Sequence, residues 1–182
     1  MKNLILILLI GFFSCKPNIE KSFDYTALNN IKAIKSDTIK YTNGFDFPVG
    51  KPNAKGYYNA QGFTKNNHLG DDWNGVNGGN TDLGDTIYSI ANGYVSFAEN
   101  IGGGWGNVIR IKHYINRNEQ IESLYAHCNS IKVKKGEYVT KGHSIGTIGN
   151  NNGQYFAHLH LELRNQVGLP IGGGILLIQK GT

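Results

Sequence analysis

The stretch Ile131-Lys-Val-Lys-Lys-Gly136-Glu-Tyr-Val-Thr-Lys-Gly142-His-Ser-Ile-Gly146-Thr-Ile-Gly149 decides the fold class. Its β-formers come in short runs that glycine interrupts every few residues, a rhythm of strands and turns. The same texture extends to both sides, where residues 86–90, 94–98, 107–113, 121–127 and 158–163 are β-rich runs separated by Gly and Asn clusters. No run reads as a long amphipathic helix, and 25 glycines mark frequent turns and bulges. The expectation is an all-β chain of antiparallel sheets.

Outward from this region the character changes. Met1-Lys2-Asn3 is a short positive start, and residues 4–13 are apolar apart from Gly11. That run is too short for a bilayer, which needs ~20 residues, and fits the apolar centre of an export signal. Ser14-Cys15 follows, at the place where bacterial lipoprotein signals carry the cysteine that becomes lipid-modified; a signal cleaved elsewhere would leave Cys15 incidental. Polar, Lys/Asn-rich sequence comes next, with sparse apolar residues. The expected organisation is a signal at 1–14, a lipid-anchored tether at 15–44 and a folded domain at 45–182, exported and held at the cell envelope.

With two cysteines, of which Cys15 is assigned to lipid, Cys128 has no partner in the chain, so the core must hold the fold without disulfides. The length suits one domain. A net charge of +5 and a pI near 9.1 point to anionic surroundings such as a cell wall or lipid surface, or else to scattered solvating lysines. The leader and the lack of a basic helix or aromatic RNA-binding motif exclude nucleic acid. A monomer is expected.

Three motifs carry chemistry: His68-Leu-Gly-Asp71-Asp72-Trp73, Ser123-Leu-Tyr-Ala-His127, and His158-Leu-His160-Leu-Glu162-Leu163. Imidazole and carboxylate donors of this kind form open zinc sites, in which three protein ligands leave a fourth position for water. In the last motif alternation puts His158, His160 and Glu162 on one face, toward a groove or solvent, and Leu159, Leu161 and Leu163 on the other, in the core. Glu162 then either orients a histidine or is a surface carboxylate. The Asn and Gly residues around His68 and Asp72 argue for a loop that wraps both ligands, or for a plain solvated loop. Alternation along 121–128 pairs Tyr125 with His127 and sets Ala126 and Cys128 opposite, which argues against a cysteine nucleophile. His113 and His143 need only structural or solvent-exposed roles.

In order and neighbours these motifs resemble the lysostaphin-type zinc endopeptidases, peptidase family M23, which cut peptides in bacterial cell walls. The resemblance runs from about Phe45 to about Arg164. It implies one zinc ion on His68, Asp72 and His160, catalysis by His127 and His158, and peptidoglycan peptides as substrate. The stretch 131–149 is similar in rhythm to the barrel-sandwich hybrid shared with biotinyl and lipoyl carriers, so the implied architecture is a duplicated-hybrid type with an open groove. A carrier role fails, because Lys134-Lys135-Gly136 lacks the carrier's short lysine motif and the leader points to another compartment.

An alternative within the same fold is a non-catalytic member that binds wall peptides or regulates another wall enzyme; such members typically lose ligands, and here none is lost. Tyr57-Tyr58, Trp73 and Gly102-Gly-Gly-Trp105 are candidate groove walls, with buried aromatics and a plain hairpin as the other readings. The tail 165–182 departs from the family pattern, and its apolar run 175–178 is expected to be a final strand.

Overall fold

Glycine and asparagine punctuation breaks the described residues into nine strands: β1 Tyr57–Gln61, β2 Asp71–Gly75, β3 Thr86–Tyr88, β4 Gly93–Asn100, β5 Asn107–Tyr114, β6 Gln120–Ile131, β7 Tyr138–Val139, β8 Ser144–Ile148 and β9 Leu159–Arg164. The computed structural model describes residues 39–172. The expectations for the signal, Cys15, most of the tether and the run 175–178 lie outside the described residues.

Every strand pairing is antiparallel. The sheet runs β1-β2-β9-β6-β5-β4-β7, while β8 joins β6 and carries β3. All-β antiparallel architecture is therefore what the chain adopts. The long β6 is the branch point: residues 122–126 pair with β9, whereas pairing from Cys128 onward is with β8.

Alternation then divides the apolar residues between two faces. Ile87, Ile109, Ile111, Tyr125, Ile145 and Leu159 belong to the main core, and Val108, Leu124 and Ala126 to a smaller one on the other face. Fully burying an Ile or Leu side chain is worth about 1.5–3 kcal/mol, so apolar residues on both faces make the middle strands the stable centre.

Two expectations are corrected here. Leu163 does not enter the core; it is 60% exposed, near the end of β9, where β2 has stopped pairing at Asp71 opposite Leu161 and β6 alone pairs with β9 among the described residues. Residues 71–75 are a strand rather than a loop, since their backbone sits between β1 and β9 and pairs with both. Ladder formation on two sides overrides the turn preference of Asn, Asp and Gly.

Candidate metal centre

The pairing of β2 with β9 sets Asp72 directly opposite His160. His68 arrives from the preceding loop, where a tight turn at Lys65–Asn67 ends and the His68 carbonyl accepts from Thr64 N at 2.8 Å. Asp71, on the other side of the pleat, accepts from Phe63 N at 3.0 Å and so secures that loop, leaving Asp72 for the site.

His68 Nε2, Asp72 Oδ1 and His160 Nδ1 form a near-equilateral triangle, with edges of 3.1, 2.9 and 3.0 Å. Ligand atoms of a tetrahedral zinc, bonded at 2.0–2.1 Å, stand roughly 3.3 Å apart, so a small contraction separates this triangle from a three-ligand site. A carboxylate oxygen and two ring nitrogens this close share a positive charge, either a proton or a metal cation. Among the described residues these three are the His, Cys, Asp or Glu group placed to hold a metal. His68 Nδ1 is buried without a hydrogen-bond partner.

The orientation of His160 is set from behind. Its Nε2–H donates to Glu162 Oε1 at 3.2 Å, which turns Nδ1 toward Asp72. Glu162 is 1% exposed and accepts from Arg164 Nε at 2.7 Å, so the surface-carboxylate reading is excluded. Arg110 binds Glu122 Oε1 at 2.8 and 2.6 Å beside Arg164, and both arginines donate to the Leu169 carbonyl. This chain of charges, under the 168–171 segment, explains why His160 and Glu162 are buried instead of facing solvent.

The charges act in opposite senses. Burial disfavours the charged form of His160, yet the hydrogen bonds and charges of Asp72 and Glu162 outweigh it and raise the imidazole to about 9. Burial would raise Asp72, but the His160 hydrogen bond and the nearby His158, His160 and His68 lower it. Glu162 is lowered likewise, burial being outweighed by His160 and Arg164. The site attracts positive charge strongly.

His127 sits at the fork of β6 with φ 58°, at a bulge where pairing passes from β9 to β8. Gly149 makes the fork possible, since a Cβ there would fall onto the His127 carbonyl oxygen. The bulge corrects the expected alternation: Cys128 turns to the Tyr125 side and both join the main core, while Ala126 joins the other. Burial pushes the Cys128 thiol up to about 12, so it is no nucleophile.

His158 precedes β9, at a bridge to Gly149, and its Nδ1–H donates to the Phe156 carbonyl at 2.8 Å. That bond leaves the Nε2 lone pair on the side of Asp72, 3.9 Å from Oδ1. The His127 ring lies 4.8 Å from His158 and 5.7 Å from His160. Burial first, then His158 and His160, push His127 down to about 4, so near neutral pH it is an uncharged imidazole. All five sequence-selected side chains thus converge.

Two cavities flank the triangle. One, of 540 Å³, is lined by Gln61, Asp72, Asn74, Asn80 and His158; the other, of 380 Å³, by His68, Trp105, His127 and His160. Of the proposed walls, Gly104 and Trp105 line the second cavity, whereas Tyr57 and Trp73 pack against the core and Tyr58 is half exposed. Tyr155 was not anticipated: it lines both cavities, and its ring lies 5.1 Å from His127 and 5.8 Å from His158. Its place three residues before His158 was the available signal. His113 is buried, with Nδ1–H donated to the Asn92 carbonyl and Nε2 accepting from Ser123, and His143 is exposed in its turn.

Known proteins are similar to this chain in sequence and in fold. Over 81 residues, 44% of this chain, the sequence is 40% identical to the lipoprotein NlpD of Yersinia enterocolitica, covering 78% of that protein. It is 37% identical over 81 residues to the murein hydrolase activator NlpD of Escherichia coli strain K12, of which it spans only 20%. In structure it is similar to a zinc containing peptidase from Vibrio cholerae, 25% identical with a TM-score of 0.50, over 68% of this chain and 37% of that one. It shares a fold with lysostaphin from Staphylococcus simulans, 23% identical with a TM-score of 0.50, over 69% and 51% of the two chains. Residues 71–171, more than half of the 182, match the model of Peptidase family M23, and the chain is a member of that family.

Proposed function

We propose that this protein is a zinc endopeptidase that hydrolyses peptide bonds in bacterial peptidoglycan. The observation that carries the reading is the triangle of His68, Asp72 and His160 with two further imidazoles, His127 and His158, beside it. Zinc held on those three side chains supplies Lewis acidity and brings water toward deprotonation near neutral pH.

The chain's own residues do the remainder. His158, with Nδ1–H committed to Phe156, offers Nε2 as a proton acceptor on the Asp72 side. His127, uncharged and with a buried Nδ1 that lacks a partner, is placed to exchange a proton or to hydrogen-bond the developing oxyanion. Glu162 keeps the Nδ1 lone pair of His160 on the metal side. Trp105 and Tyr155 cover the imidazoles with aromatic surface, which limits water around the reacting groups.

Export and attachment through Cys15 belong to the same reading, supported by the leader and by the lipoprotein description of the Yersinia relative. No helix among the described residues is long and apolar enough to cross a membrane. A second reading, a non-catalytic activator that binds wall peptides, is favoured by the description of the Escherichia coli relative. The complete set of five side chains supports the hydrolase over it.

The experiment is mass spectrometry of purified peptidoglycan fragments after incubation with the zinc-loaded chain from Lys16 onward, with and without a chelator. New chelator-sensitive peptide termini are expected and identify the bond. An unchanged profile would leave the activator.

A further inference from the structure

Tyr155 covers the imidazoles, and its place in the groove also bears on which peptides can enter. The two cavities meet at the metal triangle, and Tyr155 and Gln61 line both. The Tyr155 ring comes from the β8–β9 loop, passes over His158 and His127, and reaches the hairpin opposite: a Cβ on Gly104 would lie 2.8 Å from its hydroxyl. A side chain at position 104 would displace the ring.

The loop is held against that hairpin. Asn151 Nδ2 donates to the Gly103 carbonyl at 2.8 Å and to Gln154 Oε1 at 2.7 Å, and Tyr155 N donates to the Asn150 carbonyl at 3.1 Å. At the other end Ala157 N donates to Asn80 Oδ1 at 2.9 Å. Tethers on both sides fix the backbone that carries the ring, and the ring, 37% exposed, packs on its inner side against His127 and His158.

We propose that Tyr155 is a specificity-determining residue, a partition that limits the size of the residues on the two sides of the scissile bond. A peptide whose central amide reaches the triangle from the open face must place one flanking residue in each cavity, with Tyr155 between them. Small residues pass beside the ring. Bulky ones collide with it or with Gly104 behind it. The proposal rests on the endopeptidase reading but concerns the groove, so binding tests it separately from turnover.

The probes are two phosphinic tetrapeptides, each with a phosphinate in place of the central amide, one carrying glycine and the other phenylalanine on both sides of it. Glycine is chosen because it has no handedness to match. Calorimetry on the zinc-loaded protein is expected to show the glycine probe bound roughly tenfold or more tighter than the phenylalanine probe. Tyr155→Ala should bring the two within about threefold by opening the partition, and Tyr155→Phe should keep the wild-type ratio. A merely structural role would weaken both probes together and leave their ratio in place.

An unchanged ratio in Tyr155→Ala overturns the proposal, and so does a wild-type protein that binds neither probe. If the predicted ratios appear but the corresponding glycine peptide is never cut, Tyr155 keeps its role and the hydrolase reading falls.

Discussion

The two halves of the site are built from opposite materials. Asp72 and His160 stand on a regular ladder between β2 and β9, with a buried carboxylate and an arginine behind the imidazole. His127 and His158 stand on irregular backbone, one at a bulge with φ 58° and the other at an isolated bridge, where a carbonyl holds the His158 Nδ1–H. In the proposed function the first pair holds a cation, which gains from rigid, charged support, and the second moves protons, which needs a nitrogen left free. The β6 fork is what lets one sheet carry both.

The widest test of this contrast sets one member of each half against the other. His160→Ala should lose zinc, read by elemental mass spectrometry, and lower peptide hydrolysis by roughly 10³-fold or more, since it removes part of a unit. His127→Ala should retain zinc and lose roughly 10²–10⁴-fold, the range for a proton-transfer group. If both variants lost zinc alike, the division into halves would be wrong.

A smaller effect sharpens the account of the supported half. Glu162→Gln should weaken zinc binding by roughly 10–100-fold in chelator competition while the fold persists. Zinc affinity equal to the wild type's would mean that the ladder alone orients His160. The same substitution should leave the phosphinic-probe preference unmoved, because Glu162 lies behind the imidazole and away from Tyr155.

The smallest effect concerns a histidine outside both halves. Burial lowers the His113 imidazole below its ordinary value of 6.5, with the Asn92 carbonyl and Glu122 opposing. The unfolded chain therefore takes up a proton near that pH that the folded chain refuses. The contribution to stability is fully present above the unfolded value and is lost as pH falls below it. In urea titrations of chelated protein, His113→Asn should cost about 1 kcal/mol near pH 7.5 and lose less than the wild type on going to pH 5.5. Parallel pH curves for the two proteins would remove His113 from this role.

Legibility in the sequence followed periodicity. Residues 107–113, 144–148 and 158–163 were readable as strands because side chains alternate over several residues, and the observed elements begin and end within a residue or two of them. β2 was not, because Asp-Asp-Trp-Asn-Gly has the local preference of a turn and becomes a strand only between two partners. Tyr155 escaped notice for a related reason: nothing beside it in sequence marks a ring that touches residues from two other segments.

By itself the sequence determined the fold class and singled out five side chains that come together, since alternation, glycine spacing and residue chemistry are local properties. Tertiary structure alone decided the bulge at His127, the buried Glu162 and the partition at Tyr155. Each depends on contacts between segments far apart in the chain: the change of partner along β6, the arginines of β5 and β9 under Leu169, and the loop tied to the Gly102–Gly104 hairpin. Local pattern states which face a side chain takes, and only pairing at a distance states what it meets there.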